Sequence, residues 1–418
     1  MTCLAEIRFK LVDLLRGTAT LPLFLELSKL QFDTIDLMKN RHSTILKKHL
    51  VLAASRAIAY TNNTGNELGD WPIVAKDAIR QKPAAYLNRS YTGKIFNKKT
   101  SGSTGAPFQY KTSEQAQSYL WAGILLAWSA AGYRLGDRVA MLAGGALFSS
   151  SWKHQLFYSL MNVQPLSTMG MDDALLQQHC VLLARQKIKF VYGYANALHL
   201  LALYIERHPM ALNGHTLTAV ISTAENLSAT ARADIERILG VSVFNQYGCN
   251  DAGLSAFECE QHQGLHIIAE RCFAETLPDG RLIATDMANI ASFFIRYETG
   301  DLAEIDHTPC ACGRSWPRIT QIHGRSNDLL IDMQQKRFPA AYFTQLFAYT
   351  DIKAYQILFT KDAVRIIYDN GAQTLDKAPL IKQIKNDMQF LHYEICEGEF
   401  LVQNNGKRRY VLAVESLS

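Results

Sequence analysis

The sequence predicts an α/β protein: a large multilayer α/β N-terminal domain with a β-barrel-like part, followed by a small α+β C-terminal domain. Three observations predict it. Apolar runs at 139–142, 189–192, 219–222 and 241–244 stand about one helix apart, the spacing of a parallel sheet with crossover helices. Between 265 and 325 the runs (266–268, 282–284, 293–295) close up and are separated by turns such as Pro278, Asp279, Gly280, the pattern of an antiparallel or barrel-like region. From about residue 328 a hairpin at 355–359 and 364–368, a helix over 375–390 and a strand at 410–414 form a unit of their own.

Taken in order, residues 1 to about 90 read as helical. The first helix carries Glu6, Lys10 and Asp13 among its apolar residues and so does not resemble a secretory leader. A polar, glycine-bearing segment over 93–110 precedes a helix that Ser113 can cap, with Ala116, Tyr119, Leu120, Gly123, Leu126 and Ala127 at helical spacing. Trp121 and Trp128 share a face of that helix and read as packing. The chain has 418 residues, 48% of them hydrophobic and 19% charged, a composition with enough apolar material for a sizeable core and unlike that of a disordered chain. Its 43 basic and 38 acidic residues leave a net charge of +5, too small an excess for a nucleic-acid binder. No window is uniformly apolar over the length of a membrane span. Eight cysteines without an export signal predict a cytoplasmic chain with reduced thiols, in which clustered cysteines suggest metal before disulfide.

Residues 100–107 form the first chemical motif. Ser101, Gly102, Ser103, Thr104 and Gly105 offer glycine-freed amides and hydroxyls able to wrap a polyphosphate, although such a loop standing alone is equally a flexible turn. Ala106 and Pro107 stand where a Walker loop would have Lys and Ser/Thr. Farther on come Tyr247, Gly248, Cys249, Asn250, Asp251; then Arg296, Tyr297, Glu298, Thr299, Gly300, Asp301; then Gly324, Arg325, Ser326, Asn327, Asp328; then Gly406, Lys407.

In this ordered set the chain resembles the adenylate-forming superfamily of acyl-CoA synthetases and adenylation domains, in particular the phenylacetate-CoA ligase branch. The likeness spans about residues 45 to 410, with smaller echoes at 72–76, 132–138 and 280–285. It implies an enzyme that uses ATP and Mg²⁺ to convert a carboxylic acid, by resemblance aryl or arylacetic, into acyl-AMP, and then passes the acyl group to coenzyme A. An amine or carrier-protein phosphopantetheine is the alternative acceptor, and a non-catalytic nucleotide-binding relative is the competing class. The resemblance assigns residues 101–105 to the phosphates, Tyr247 with Gly248 and the strand-end Ala224, Glu225 and Asn226 to the adenine side, Asp301 and Arg325 to the ribose, Asp251 to magnesium, and Lys407 to the reacting centre; the competing reading of Lys407 is a solvated member of a basic run. It implies a domain boundary near 326, giving domains 1–326 and 327–418, with a hinge at Ser326 and Asn327 about which the small domain moves. Tyr192 and Tyr194 fall where the family lines its acyl pocket, and core packing explains them equally well. The chain departs from the pattern at Asn250–Asp251, at Glu298 and at Asn327. The oligomeric state is left open between monomer and homodimer.

A metal site is the remaining prediction. Cys310 and Cys312 form a Cys-x-Cys, with Cys259, His262 and His266 upstream, and thiolates with imidazole in tetrahedral array suit structural zinc. Relatives that look similar here carry zinc on Cys, His and a Cys-x-Cys, which favours His266 beside Cys259, Cys310 and Cys312. Local spacing favours His262. His154, His179, His199 and His215 read as surface or satisfied core residues.

Overall fold

The computed structural model describes residues 4–63, 65, 67–100, 108–143, 152–168, 171–325, 329–334, 336–339, 343, 346, 347, 352, 354–369, 375–401 and 410–417. Three helices open the chain: α1 (Leu4–Arg16), α2 (Thr20–Leu30) and α3 (Ile35–Arg56), with the short α4 (Lys76–Gln81) after them. Strands β1 (Ile95–Thr100) and β2 (Phe108–Ser113) then pair antiparallel around the segment 101–107, which lies outside the described residues. The predicted helix follows as α5 (Glu114–Ala130), and Ser113 caps it: its hydroxyl accepts from the Ala116 amide at 3.2 Å. An N-cap of this kind contributes about 1 kcal/mol.

The alternating stretch folds as β3 (Val139–Ala143), α6 (Trp152–Leu160), β4 (Val163–Ser167), α7 (Asp173–Arg185), β5 (Phe190–Tyr194), α8 (Ala195–Arg207), β6 (Ala219–Thr223), α9 (Ala229–Leu239) and β7 (Val243–Cys249). The strands pair parallel in the order β4-β3-β5-β6-β7. Their side chains divide by alternation. Val139, Met141, Phe190, Tyr192, Ala219 and Ile221 pack with residues of α1, α2, α5 and α6 on one face. Ala140, Leu142, Val191, Val220 and Val243 pack with α7 and α8 on the other. Both faces are covered, so the strands read as continuous apolar runs. The sequence expectation missed β4, whose Gln164 and Pro165 interrupt the apolar pattern.

The antiparallel expectation for 265–325 also holds, in a more connected form. Strands β8 (Leu254–Glu258), β9 (Leu265–Ile267), β10 (Cys272–Thr276), β11 (Arg281–Asp286), β12 (Tyr297–Asp306) and β13 (Arg318–Arg325) extend the same sheet past β7, giving eleven strands in the order β10-β11-β12-β13-β9-β8-β7-β6-β5-β3-β4. β10 and β11 also lie against β8.

The chain separates into two compact units, one of residues 1–299 with 304–321, the other of 300–303 with 322–418. In the second, β14 (Leu329–Ile331) pairs with β15 (Arg337–Pro339). β16 (Ala354–Phe359) and β17 (Ala363–Asp369) form the expected hairpin, helix α10 (Lys377–Asp387) follows, and β18 (His392–Glu397) and β19 (Val411–Ala413) add in parallel on either side. Ile357, Ile366, Leu380, Ile384 and Phe343 are among the residues of its own core. Among the described residues no helix is long and apolar enough to cross a membrane.

The turn from β7 into β8 has no spare room. Gly253 has φ +66°, and a Cβ there would stand 2.1 Å from Asp286 Cγ. Gly253→Ala is expected to cost about 2–4 kcal/mol, from left-handed strain and overpacking together. Urea unfolding of the variant beside the wild type measures it; a loss under about 0.5 kcal/mol would mean that the turn relaxes freely.

Candidate active site

Parallel strands β5, β6 and β7 end side by side, and their pairing sets what stands there. Tyr194 is in register with Thr223, and Thr223 with Gln246. The residues just past those ends are Ala224, Glu225 and Asn226 after β6, while Tyr247, Gly248 and Cys249 complete β7 and Asp251 follows it. The C-terminal edge of a parallel sheet is where open α/β folds hold ligands, since the loops diverge there and leave a crevice. Ala224 adopts φ +65°, a conformation that a non-glycine residue rarely takes and that concentrates at functional sites. Glu225 turns a carboxylate oxygen to the Asn196 amide at 2.9 Å, so it caps the first turn of α8. Tyr194 and Tyr247 are half-buried.

Tyr192 is buried in the core, 8% exposed, with its ring 5.5 Å from that of Trp128 in a T-shaped contact. Trp128 is fully buried, as the packing reading required, and Trp121 lies 5.0 Å from Phe157. His179, His199 and His215 bond to Ser167 O, Asp234 and Ile188 O, the satisfied positions expected for them.

Asp251 is 6% exposed. Its Oδ2 stands 3.0 Å from Lys76 Nζ and accepts from the Tyr297 hydroxyl at 2.8 Å; its Oδ1 accepts from the Cys249 thiol at 3.1 Å. Burial, the largest single effect, would raise this carboxyl; the Lys76 ammonium together with the thiol and phenol more than offsets it, so Asp251 sits below its ordinary value. Because Oδ1 meets only a weak thiol donor, one oxygen remains to bind a hard cation, and the residue fits the magnesium role on donor chemistry. Lys76 comes from the start of α4 and also lies 5.5 Å over the Phe108 ring, at the foot of the 101–107 segment. Sequence reasoning gave neither Lys76 nor Tyr297 a role, although both lie inside quoted motifs. The available signal was the acid itself: a carboxylate bound for the interior needs a cation.

Asp301 lies half-buried on β12, and the backbone of Arg325 ends β13, the neighbouring strand. Residues 101–105, the hinge pair Ser326 and Asn327, and Lys407 lie outside the described residues.

A second constellation is complete. The ligating atoms of Cys259, His266, Cys310 and Cys312 all lie within 4.8 Å of one another. Cys259 Sγ is 3.8 Å from Cys310 Sγ, and Cys312 Sγ is 3.3 Å from His266 Nε2. A tetrahedron with zinc–sulfur legs of about 2.3 Å has edges of about 3.8 Å, so the cage fits the metal. His266 Nδ1 stands 3.2 Å from Trp316 O, which fixes the ring with Nε2 inward. Burial pushes His266 down to about 4, keeping it neutral as a ligand must be. His262, favoured by local spacing, is elsewhere: its backbone has φ +52° and its ring packs on Phe244, 3.3 Å from Glu258.

The Asp251 pair yields a stability expectation. Lys76→Met is expected to cost about 1–3 kcal/mol at pH 7, less than for a fully buried pair because Lys76 is a third exposed. A carboxyl held low in the folded state contributes stability above its unfolded value and loses it as pH falls through the folded one. The deficit of the variant is therefore present at neutral pH, shrinks as pH falls because the orphaned acid, raised by burial, takes up a proton above pH 4, and is lost below about pH 4. Urea titrations at the two pH values read this out, and a deficit independent of pH would show that the pair is not its source.

No protein-family model matches the chain. Protein CapK of Staphylococcus aureus is 23% identical over 389 residues, covering 89% of this chain and 84% of its own length. A phenylacetate-coenzyme A ligase of Pseudomonas putida is 26% identical over 345 residues, covering 75% of this chain and 76% of its own. Among solved structures, 2-hydroxyisobutyryl-CoA ligase in its postadenylation state with R3-HIB-AMP has the same fold, with a TM-score of 0.67 at 16% identity, over 90% of this chain and 89% of that one. Ordered motifs and relatives similar along most of the length support the adenylate-forming superfamily and its phenylacetate-CoA ligase-like branch, and the chain shares the fold of a solved CoA ligase.

Proposed function

We propose that this protein activates a carboxylic acid, aryl or arylacetic, as acyl-AMP and transfers the acyl group to coenzyme A. The observation that carries the reading is the strand-end array: Tyr194, Ala224 and Tyr247 aligned at one edge of the sheet, with the buried Asp251 just past it.

Two anions must meet, since the acid's carboxylate attacks the α-phosphorus of ATP and pyrophosphate leaves, so the site has to supply positive charge and oriented donors. In this reading residues 101–105 hold the β- and γ-phosphates, Tyr247 offers its face to adenine, and Asp301 accepts from the ribose hydroxyls while Arg325 donates to them. Asp251 would hold a magnesium ion through Oδ1, and the ion's part is to neutralise phosphate charge. Lys76 keeps Asp251 ionised and adds a fixed cation on the phosphate side. Lys407, carried by the small domain, neutralises charge at the reacting carboxylate. Rotation about Ser326 and Asn327 then admits the thiol, which attacks the acyl carbon; a thioester forms and AMP leaves. Cys259, His266, Cys310 and Cys312 would hold a structural zinc. Four protein ligands leave no open position, so its part is to tie the turn after β8, strand β9 and the loop after β12 together.

ATP–pyrophosphate exchange over a panel of aryl and arylacetic acids tests the first step. Exchange is expected with at least one acid, and Lys407→Ala should lower it about 10²- to 10³-fold with folding intact. No exchange with any acid while ATP still binds would favour the non-catalytic reading. Coenzyme A, amines and carrier protein offered side by side to the adenylated enzyme identify the acceptor. Elemental analysis is expected to find about one zinc per chain, released as pH falls because thiolates must give way to thiols. Less than about a tenth of an equivalent would reject the site.

A further inference from the structure

Helix α1 is apolar on two sides. At about 100° per residue, Ala5, Phe9 and Val12 fall together on one face and are buried in the core. Leu4, Ile7, Leu11, Leu14 and Leu15 fall together on another, in an arc about 100° wide, and are 71, 53, 41, 78 and 55% exposed. A helix that is apolar on both faces is normally covered on both. Here the outer arc faces solvent. A single exposed leucine is ordinary, whereas a contiguous row of five apolar side chains marks a surface that something covers. Beside the arc, Lys10 with Pro22 and Leu25 of α2 lines a groove between the two helices, and Leu25 is itself 46% exposed.

The charges that border the arc are positive. Exposed Lys10 borders it on the side of α2, and Arg8, which donates to Ser159 O of α6, borders it on the other. The acids of α1 lie farther round the helix. Glu6 is half-buried, and Asp13 is buried with its carboxylate held by the Thr18 hydroxyl at 2.7 Å and by the amides of Thr20 and Leu21 at 2.7 and 2.9 Å. Helix α6, next to α1, carries Trp152 and Leu156 one turn apart and exposed, with Lys153 Nζ 5.8 Å from the Trp152 ring. Over residues 1–63 there are nine basic and five acidic residues, a surplus of four that makes up most of the chain's net charge of +5.

An apolar row with a basic border fits an anionic lipid surface better than a second protein. A stable protein interface takes about 20–30 residues a side. The arc together with Pro22 and Leu25 offers seven. Two copies meeting antiparallel through the arc would also set Lys10 against Lys10, and like charges brought together oppose such pairing. A bilayer asks for less: apolar side chains that reach about 5–10 Å into the boundary between headgroups and acyl chains, and cations that stay level with the phosphates. We propose that α1, with the adjoining edge of α2, docks this protein on an anionic phospholipid bilayer. The helix lies in the plane of the surface with its leucine arc inserted and Lys10 among the headgroups, and it does not cross the membrane.

Flotation of the full chain with vesicles is the test, using phosphatidylcholine alone against phosphatidylcholine with about 30% phosphatidylglycerol. The wild type is expected to partition onto the anionic vesicles about tenfold or more above the neutral ones, and to lose most of that difference in about 0.5 M salt, which screens the headgroup charge. Ile7→Glu combined with Leu14→Glu should lower binding about tenfold or more, and because both side chains are exposed its thermal melt should match the wild type. Lys10→Gln should lower it about fivefold. Met210→Glu should leave it unchanged, since Met210 is equally exposed but follows α8, which packs on the opposite face of the sheet from α1. Failure to float, equal binding to both kinds of vesicle, or binding that survives the double substitution would overturn the assignment. So would a dimer in sedimentation velocity that the same double variant dissolves while no vesicle is bound. None of these outcomes touches pyrophosphate exchange, so the ligase reading stands or falls separately.

Discussion

Everything at the sheet's edge depends on one ion pair. Asp251 sits where water barely reaches, and a lone carboxylate there would take up a proton and lose its use. Lys76 prevents that from 3.0 Å, and Tyr297 fixes the same oxygen. Three distant stretches thus meet at one carboxylate: the start of α4, the turn after β7 and the start of β12. The N-terminal helical region is therefore part of the site's electrostatics and not an appendage. The geometry also divides the carboxylate's two oxygens between a fixed internal cation and a thiol that yields easily, which leaves one of them able to change partners.

The sheet supplies the rigidity this requires. Its parallel half is covered on both faces, so β5, β6 and β7 cannot slip without exposing an apolar layer. The change to antiparallel pairing at β7 and β8 brings the chain back through a tight turn at once, and that turn holds Asp251 and Gly253. Strain at Ala224 and crowding at Gly253 are costs that the packed sheet can hold in place.

Most of the fold could be read from the sequence because it rests on local periodicity. The apolar runs of β3, β5, β6 and β7, the Ser113 cap and the C-terminal hairpin all carried that signal. β4 did not: Gln164 and Pro165 fit an outer strand of the sheet, which needs less apolar surface, so its pattern was hidden. The site was legible as motifs but less so as contacts. Tyr247 and Asp251 stood out, whereas the pairing of Asp251 with Lys76 joins residues 175 positions apart in sequence and leaves no periodic trace. His262 and His266 make the same point. Spacing from Cys259 favoured the first, but a left-handed turn at His262 sends its ring to Phe244, and strand β9 delivers His266 to the thiols.

Net charge conceals a similar local fact. An excess of +5 over 418 residues says little about ligands, yet it is the sum of regions with quite different balances. Around Asp251 charge is matched within contact distance. A reaction that joins two anions needs excess positive charge at its centre.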